Sequence, residues 1–233
     1  MISLLQYFSH NKYRLTIFSL LAGASVVCVG ILRLRVELVG SARYSFLIWN
    51  LFLAWIPFFI AYFIFVSSIS RFWLYFIVPF SAVVWLLFFP NAPYILTDLQ
   101  HLSSAGGEIP VWYDVILLIW FSFTGLFLGM VSLFLMQEIV RREFGGWFSW
   151  GFVLAVAGLS TIGVYMGRFL RWNSWDVLGN LGGMVQFTLY YIINPTIRSL
   201  VFAGLFVPFF LFVYLLLYSF GHLLLERKVE NAN

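Results

Sequence analysis

The sequence predicts an all-α fold, a polytopic bundle of about six membrane-spanning helices with a short loop helix and an interfacial helix. Apolar side chains make up 63% of the 233 residues and charged side chains 9%, a balance far from that of a water-soluble domain. The apolar residues form runs of about 18 to 25 residues, long enough for a helix to cross a hydrocarbon core of roughly 30 Å. We therefore expect one transmembrane domain over residues 1–233, with no separate soluble domain.

Each predicted span is an apolar run bounded by charge, glycine or proline. The first run follows Lys12 and Arg14 and could imitate a signal peptide. Because further membrane-length runs come after it, we interpret it as an uncleaved span. The predicted spans are residues 15–32, 45–66, 72–89, 113–137, 147–167 and 199–225.

The segment 177–194 is apolar enough for a seventh span, but it also contains several glycines and amides. Its large apolar side chains recur at helical spacing, while Asn180 and Gly183 fall elsewhere on the helical wheel. An interfacial helix over about 175–194, ended by Pro195, fits this pattern better. From the sequence, the choice between six and seven spans stays open.

Two predicted spans carry glycines four residues apart, Gly125 with Gly129 and Gly163 with Gly167. Small residues at this spacing allow two membrane helices to approach closely. We therefore expect these glycines to pack helix against helix.

The charges indicate membrane anchoring and a sidedness. The formal net charge of +4 comes from residues placed between the apolar runs, which is typical of juxtamembrane anchoring, and nucleic acid is not an expected partner. Basic residues are nearly balanced between the two sides, but the long loop between spans three and four has no Lys or Arg. We therefore expect cytoplasmic N- and C-termini, with this loop and those after spans one and five on the outer face.

The first polar cluster is the string PNAPYILTDLQHL at residues 90–102. Asn91 suits a helix N-cap, with Pro93 in the first turn. If a short helix follows, one stripe of it carries an amide, a phenol, a carboxylate and an imidazole, from Asn91, Tyr94, Asp98 and His101. Such a stripe could bind a ligand or exchange a proton. Alternatively, Asn91 caps the helix, Tyr94 anchors at the interface, and the other two side chains face water.

The second polar cluster is GRFLRWNSWD at residues 167–176. Arg168 and Arg171, three residues apart, would point the same way from a helix end and could hold a phosphate or carboxylate. Asn173 and Asp176 have the spacing of a capping box for the interfacial helix. Alternatively, an arginine forms a salt bridge that joins the two loops, to one of the carboxylates of Asp98, Asp114 and Asp176.

Together the two strings resemble an uncharacterised bacterial membrane-protein family, domain of unknown function 1361. The number and order of the spans also look similar, so the resemblance covers most of the chain. It implies a bacterial cell membrane location but no activity. It marks as a family signature Asn91, Pro93, Tyr94, Thr97, Asp98, Arg168, Arg171, Asn173, Trp175 and Asp176.

Loops 90–114 and 167–176 share one side of the membrane and favour a surface site that binds or processes an anionic, lipid-linked substrate, such as a polyprenyl-type lipid. The candidate catalytic residues are Asp98 and His101, which could exchange a proton. The candidate substrate-binding residues are Asn91, Tyr94, Thr97, Arg168, Arg171, Asn173 and Asp176. The loops offer one histidine and no fixed ligand spacing, so we expect neither a metal nor a cofactor, and a metal-dependent variant would have to use Asp98, His101, Asp114 and Asp176. Whether the protein is an enzyme stays open.

Two other functions fit the same features. A transporter or permease component would use the polar loops as a gate, but no charged residue lies in the middle third of any predicted span. A non-catalytic subunit of a membrane complex would dock a partner membrane protein through its loop tryptophans, although interfacial aromatic belts explain those residues equally well.

Overall fold

A computed structural model describes residues 4–67, 77–104, 109–172, 174 and 176–230. Within these residues the fold is all α-helical, and six helical stretches are long and apolar enough to cross a membrane. These stretches are Lys12–Val39, Phe46–Ser67, Val78–Leu102, Val111–Phe144, Gly146–Leu170 and Ile197–His222. The prediction of a polytopic helical bundle is confirmed, and the chain is a multi-pass membrane protein.

The helices follow the predicted order. They are α1 (Leu4–Val39), α2 (Phe46–Ser67), α3 (Val78–Phe88), α4 (Asn91–Tyr94), α5 (Val111–Phe144), α6 (Gly146–Tyr165), α7 (Asp176–Ile193) and α8 (Ile197–Glu230). A 3₁₀-helix at Ile95–Ser104 follows α4, and a π-helical turn at Met166–Leu170 follows α6. The predicted start of the third span, residues 72–76, and Arg71 lie outside the described residues.

Helix α5 is the centre of the bundle and packs against α1, α2, α4, α6 and α8. Its most apolar stretch is 61% buried within the protein, against 17% for those of α1 and α8. One apolar cluster, with Trp85, Phe89 and Phe210, joins α3, α5, α6 and α8. A second, with Leu47 and Phe121, joins α1 and α2 to the other side of α5.

The chain after α3 does not leave the bundle as an open loop. It folds against the side of α5, where Ser122 Oγ donates a hydrogen bond to the Ile95 carbonyl at 3.1 Å. A Cβ atom at Gly125 would lie 3.0 Å from the Ala92 carbonyl oxygen, and one at Gly129 would lie 3.0 Å from Ala92 Cβ. The close approach expected at these glycines is present, and its partner is α4 with the start of the 3₁₀-helix, which belong to the third membrane-length stretch.

Two glycines, one on α6 and one in its π-helical turn, contact the same segment, residues 90–95. A Cβ at Gly163 would lie 2.6 Å from Pro90 Cγ, and one at Gly167 would lie 3.2 Å from the Tyr94 ring. The segment 90–95 is therefore held between α5 and α6 by four side-chain-free positions. A larger residue at Gly125 or Gly163, where the added Cβ would come within 3.0 Å of a neighbour, would force the segment to shift.

Helix α7 begins at Asp176, close to the predicted start of the interfacial helix. Its Phe187 ring stacks on Trp172 with centroids 5.6 Å apart, and Tyr191 contacts Tyr165 with centroids 5.9 Å apart. Among the described residues it does not meet the length and hydropathy of a membrane span. Its placement at the membrane interface stays a prediction.

Candidate functional site

The side chains of Asn50, Asp98, His101 and Arg168 lie together at one end of the bundle, which we call the polar end. At its centre is the carboxylate of Asp98, which is 1% exposed. Its Oδ1 accepts a hydrogen bond from Arg168 Nη2, and its Oδ2 accepts one from Asn50 Nδ2 at 2.8 Å. A buried carboxylate needs such partners, because loss of hydration destabilises the charge. Both oxygens are thus occupied, and they join α2, the 3₁₀-helix and the π-helical turn after α6.

The Arg168 guanidinium uses all three of its nitrogens within the protein. Besides the bond to Asp98, its Nε donates to Thr97 Oγ1 at 2.8 Å, and its Nη1 lies 3.4 Å from His101 Nε2. The guanidinium carbon also lies 4.3 Å from the centroid of the Tyr94 ring. Four side chains of residues 90–102 therefore contact the Arg168 guanidinium. Its ion pair with Asp98 joins the two loops, as in the alternative interpretation of the sequence.

The predicted stripe of the first loop is only partly intact. Thr97 Oγ1 donates back to the Tyr94 carbonyl at 2.7 Å, so the hydroxyl is fixed on the arginine side. The His101 side chain is 36% exposed, lies 4.0 Å from Asp98 Oδ1 and contacts the Phe46 ring at 5.0 Å. The carboxylate and the imidazole thus lie side by side on the arginine.

Asn91 lies in a separate contact. Its Nδ2 donates to the Phe88 carbonyl at 2.8 Å and to Ser174 Oγ at 2.9 Å, and Ser174 Oγ in turn donates to the Leu87 carbonyl at 3.1 Å. The N-cap prediction for Asn91 is wrong, since Pro90 is the N-cap residue and α4 has no side-chain cap. Asn91 instead satisfies the carbonyl of Phe88 at the end of α3, and Ser174 satisfies that of Leu87.

The second arginine of the pair takes a different position. Arg171 is exposed and has a left-handed backbone, with φ of 58°, as its N–H bonds the Met166 carbonyl to close the π-helical turn. Within the part of the chain that the structure describes, no hydrogen bond or ion pair links Arg171 to Asp98. Asp176 opens α7 and is half-buried. Asn173 and Trp175, and with them the predicted capping box, lie outside the described residues.

A second buried ion pair lies at the same end of the bundle. Arg35 of α1 donates through Nε to Asp114 Oδ1 at 2.6 Å and through Nη2 to Oδ2 at 3.3 Å, and each side chain is 1–2% exposed. The Tyr44 hydroxyl donates to the same carboxylate at 3.4 Å. Burial raises the pKa of the Tyr44 phenol, and the Asp114 charge raises it further, so the hydroxyl remains a proton donor. Helix α1 extends beyond the predicted end of its span to make this pair.

A cavity of about 350 Å³ lies beside the Asp98–Arg168 pair, between α2, α3, α4, α6 and α7. Its polar lining consists of Asn50, Asn91, Tyr94, Trp172, Ser174 and Thr188. The rest is apolar and includes Trp49, Leu53, Val83, Leu86, Leu87, Leu159 and Ile162. Asp98, His101 and Arg168 do not line it; Asn50 and Tyr94 separate them from the space.

Two parts of the polar end were not among the predicted site residues. Asn50 appeared in the sequence only as one polar residue in an apolar span, and Arg35 only as a basic residue after the first span. An isolated polar side chain in a membrane-length apolar run is itself a signal, because its burial in lipid is costly without a partner. Across the described residues, no group of three His, Cys, Asp or Glu side chains is placed to hold a metal ion.

Comparison with known proteins gives one match. A family model described as "Protein of unknown function (DUF1361)" matches residues 49–216, which is more than two thirds of the chain. The matched region contains Asn50, the segment 90–102, Asp114 and Arg168, but it begins after Arg35. No curated protein and no solved structure matches the chain.

Proposed function

This chain belongs to the DUF1361 family of proteins of unknown function, and from the geometry of its polar end we propose that it binds an amphipathic, lipid-type molecule. The polar headgroup would enter the cavity beside the Asp98–Arg168 pair, and the apolar chain would lie along α2, α3 and α6. The observation that carries the proposal is a cavity with a polar end and apolar walls in the side of the bundle.

The walls of the cavity reach the outer surface of the helices. Trp49, Val83 and Leu159 line it and are 53%, 69% and 42% exposed. On membrane-crossing helices, exposed apolar side chains of this size face the hydrocarbon of the bilayer. A ligand could therefore enter sideways from the membrane with its chain still in lipid, which a water-soluble ligand could not do.

The Asp98–Arg168 pair acts in this proposal as a support and not as the group that contacts the ligand. Asp98 holds the amide of Asn50, and Arg168 lies against the Tyr94 ring, so the pair sets the position of two lining side chains. Ligand sites need such fixed supports, since a loosely held polar group binds weakly. An anionic group on the ligand would meet the exposed Arg171, because the nitrogens of Arg168 are already engaged.

The position of the cavity favours binding over transport. Its lining residues on α2 and α6, residues 49–53 and 159–163, come from the half of each helix that is nearer the polar end. A transport pathway would also need polar groups toward the opposite end of the bundle. The lining therefore supports a pocket reached from one leaflet.

The experiment is native mass spectrometry of the purified protein, delipidated and then mixed with phosphatidylglycerol, phosphatidylethanolamine and glucosyl diacylglycerol. We expect bound lipid on the wild-type protein and a several-fold loss of it in Leu159→Trp, which fills the cavity mouth. Leu154→Trp is the matched control, since Leu154 lies on the same helix, is 57% exposed and does not line the cavity. Equal lipid retention by the two variants would overturn the proposal.

A further inference from the structure

The orientation of two amide side chains in the cavity is fixed by their partners. Asn50 must turn its NH₂ toward the Asp98 carboxylate, and Asn91 must turn its NH₂ toward the Phe88 carbonyl and Ser174 Oγ. Each of these partners is an acceptor, because Ser174 gives its own proton to the Leu87 carbonyl. A flipped amide would place oxygen against oxygen. Both amide carbonyls are therefore directed away from these contacts.

The free amide atoms of the cavity are consequently acceptors, whereas the Tyr94 hydroxyl can donate or accept and the indole N–H of Trp172 can only donate. Among the described residues, no group donates to Asn50 Oδ1 or Asn91 Oδ1, and none bonds the Tyr94 hydroxyl. None of these three atoms is fully buried without a partner, and all three residues line the cavity. A ligand group that satisfies two carbonyl oxygens and a phenol must carry several O–H or N–H donors.

The lining also lacks charge. Over the residues that the structure describes, no Asp, Glu, Lys, Arg or His side chain lines the cavity, and the carboxylate of Asp98 beside it has both oxygens engaged. A phosphate inside the cavity would be repelled by the partial negative charge of the amide oxygens. An ammonium group inside it would have no counter-ion. Neutral hydroxyl groups suffer neither cost.

Building on the proposed lipid-binding function, we infer that the cavity selects a neutral, hydroxyl-rich headgroup of the sugar type, carried on a lipid. The hydroxyls donate to Asn50 Oδ1 and Asn91 Oδ1, and the Tyr94 hydroxyl completes the set. Trp172, which stacks on Phe187 through one face of its indole, also lines the cavity and adds an aromatic wall with an N–H donor. A charged group elsewhere on the same lipid would lie outside the cavity.

The test compares three lipids with identical acyl chains, namely glucosyl diacylglycerol, phosphatidic acid and diacylglycerol, titrated onto the delipidated protein and measured by native mass spectrometry. We expect the glucosyl lipid to bind most tightly. Tyr94→Phe should weaken its binding about 2- to 10-fold, the effect of one neutral hydrogen bond, and leave diacylglycerol binding unchanged. The control is Tyr62→Phe on α2, since Tyr62 is 42% exposed and does not line the cavity.

The outcomes separate the two proposals. Binding of none of the three lipids would overturn the lipid-binding function itself. Tighter binding of phosphatidic acid than of the glucosyl lipid, or an unchanged affinity of Tyr94→Phe for the glucosyl lipid, would overturn only the headgroup inference. Methyl glucoside tests the source of the sugar, because binding as tight as that of the glycolipid would exclude a lipid-borne ligand. Since the Tyr94 hydroxyl has no partner among the described residues, the variant should keep the thermal stability of the wild type.

Discussion

Pro90 packs on the bare backbone of Gly163, so closely that a Cβ atom on the glycine would lie 2.6 Å from Pro90 Cγ and 2.9 Å from Pro90 Cβ. This contact seats the start of the segment 90–95 against α6, while Gly125 seats its other end against α5. The polar end of the bundle depends on it, because this segment carries Tyr94 into the cavity and leads directly to Asp98.

Gly163→Ala should therefore lower the free energy of unfolding by about 1–3 kcal/mol, as expected for an overpacked contact between rigid groups. The thermal unfolding midpoint should fall accordingly. The proline ring cannot turn aside as a flexible side chain would. Gly158→Ala, on the same helix with nothing within 4 Å of its Cβ, should be neutral or slightly stabilising. Thermal unfolding in detergent measures both, and equal midpoints for the two variants would show that the segment yields freely.

Asp98→Asn and Arg168→Gln should each reduce folded yield and lower the unfolding midpoint, because each leaves a buried charge without its counter-charge. Arg171→Gln is the matched control for the second variant, since Arg171 is exposed and should tolerate the change. Size-exclusion profiles and thermal melts measure the effect. If Asp98→Asn folds like the wild type, the pair is not a support, and a chemical role for Asp98 becomes the better interpretation.

Arg35→Met should destabilise the protein by about 3 kcal/mol, the usual effect of removing one partner from a buried pair. The double variant Arg35→Met with Asp114→Leu should recover part of this loss, because no unpaired charge remains. Arg33→Met serves as the control on the same helix, since Arg33 is exposed. A double variant as unstable as the sum of its single changes would contradict coupling between Arg35 and Asp114.

Membrane sidedness can be measured with single cysteines in a Cys28→Ala background, since Cys28 is the chain's only cysteine and is buried. We expect Arg171→Cys to react with a membrane-impermeant maleimide in intact cells and Arg142→Cys to react only after permeabilisation. Both arginines are exposed; Arg142 lies in the last turn of α5, just before α6 begins, and Arg171 follows the π-helical turn at the other end of α6. The reverse labelling pattern would place the polar end in the cytoplasm.

The all-α bundle and its six membrane-length stretches could be read from hydropathy, because a chain in lipid must satisfy its backbone within each helix. Apolar length alone then indicates where helices cross. The same reasoning brought the two polar strings to one side of the membrane, where Asp98 and Arg168 in fact meet. Those features depend on local composition and on the alternation of spans, which a sequence states directly.

The ion-pair partners and the orientation of the amide side chains depend on which side chains meet between helices. Composition alone does not predict these contacts. Arg168 had three candidate carboxylates in the sequence, and only the packing of the segment 90–104 against α5 and α6 assigns it to Asp98 and leaves Asp114 to Arg35. Packing also places the Asn91 amide NH₂ against the end of α3, which leaves the side-chain oxygen Oδ1 free beside the cavity. A buried polar group can bond only the few groups that the packing brings within reach, so the choice among partners, and with it the chemistry of the cavity, arises only when the helices come together.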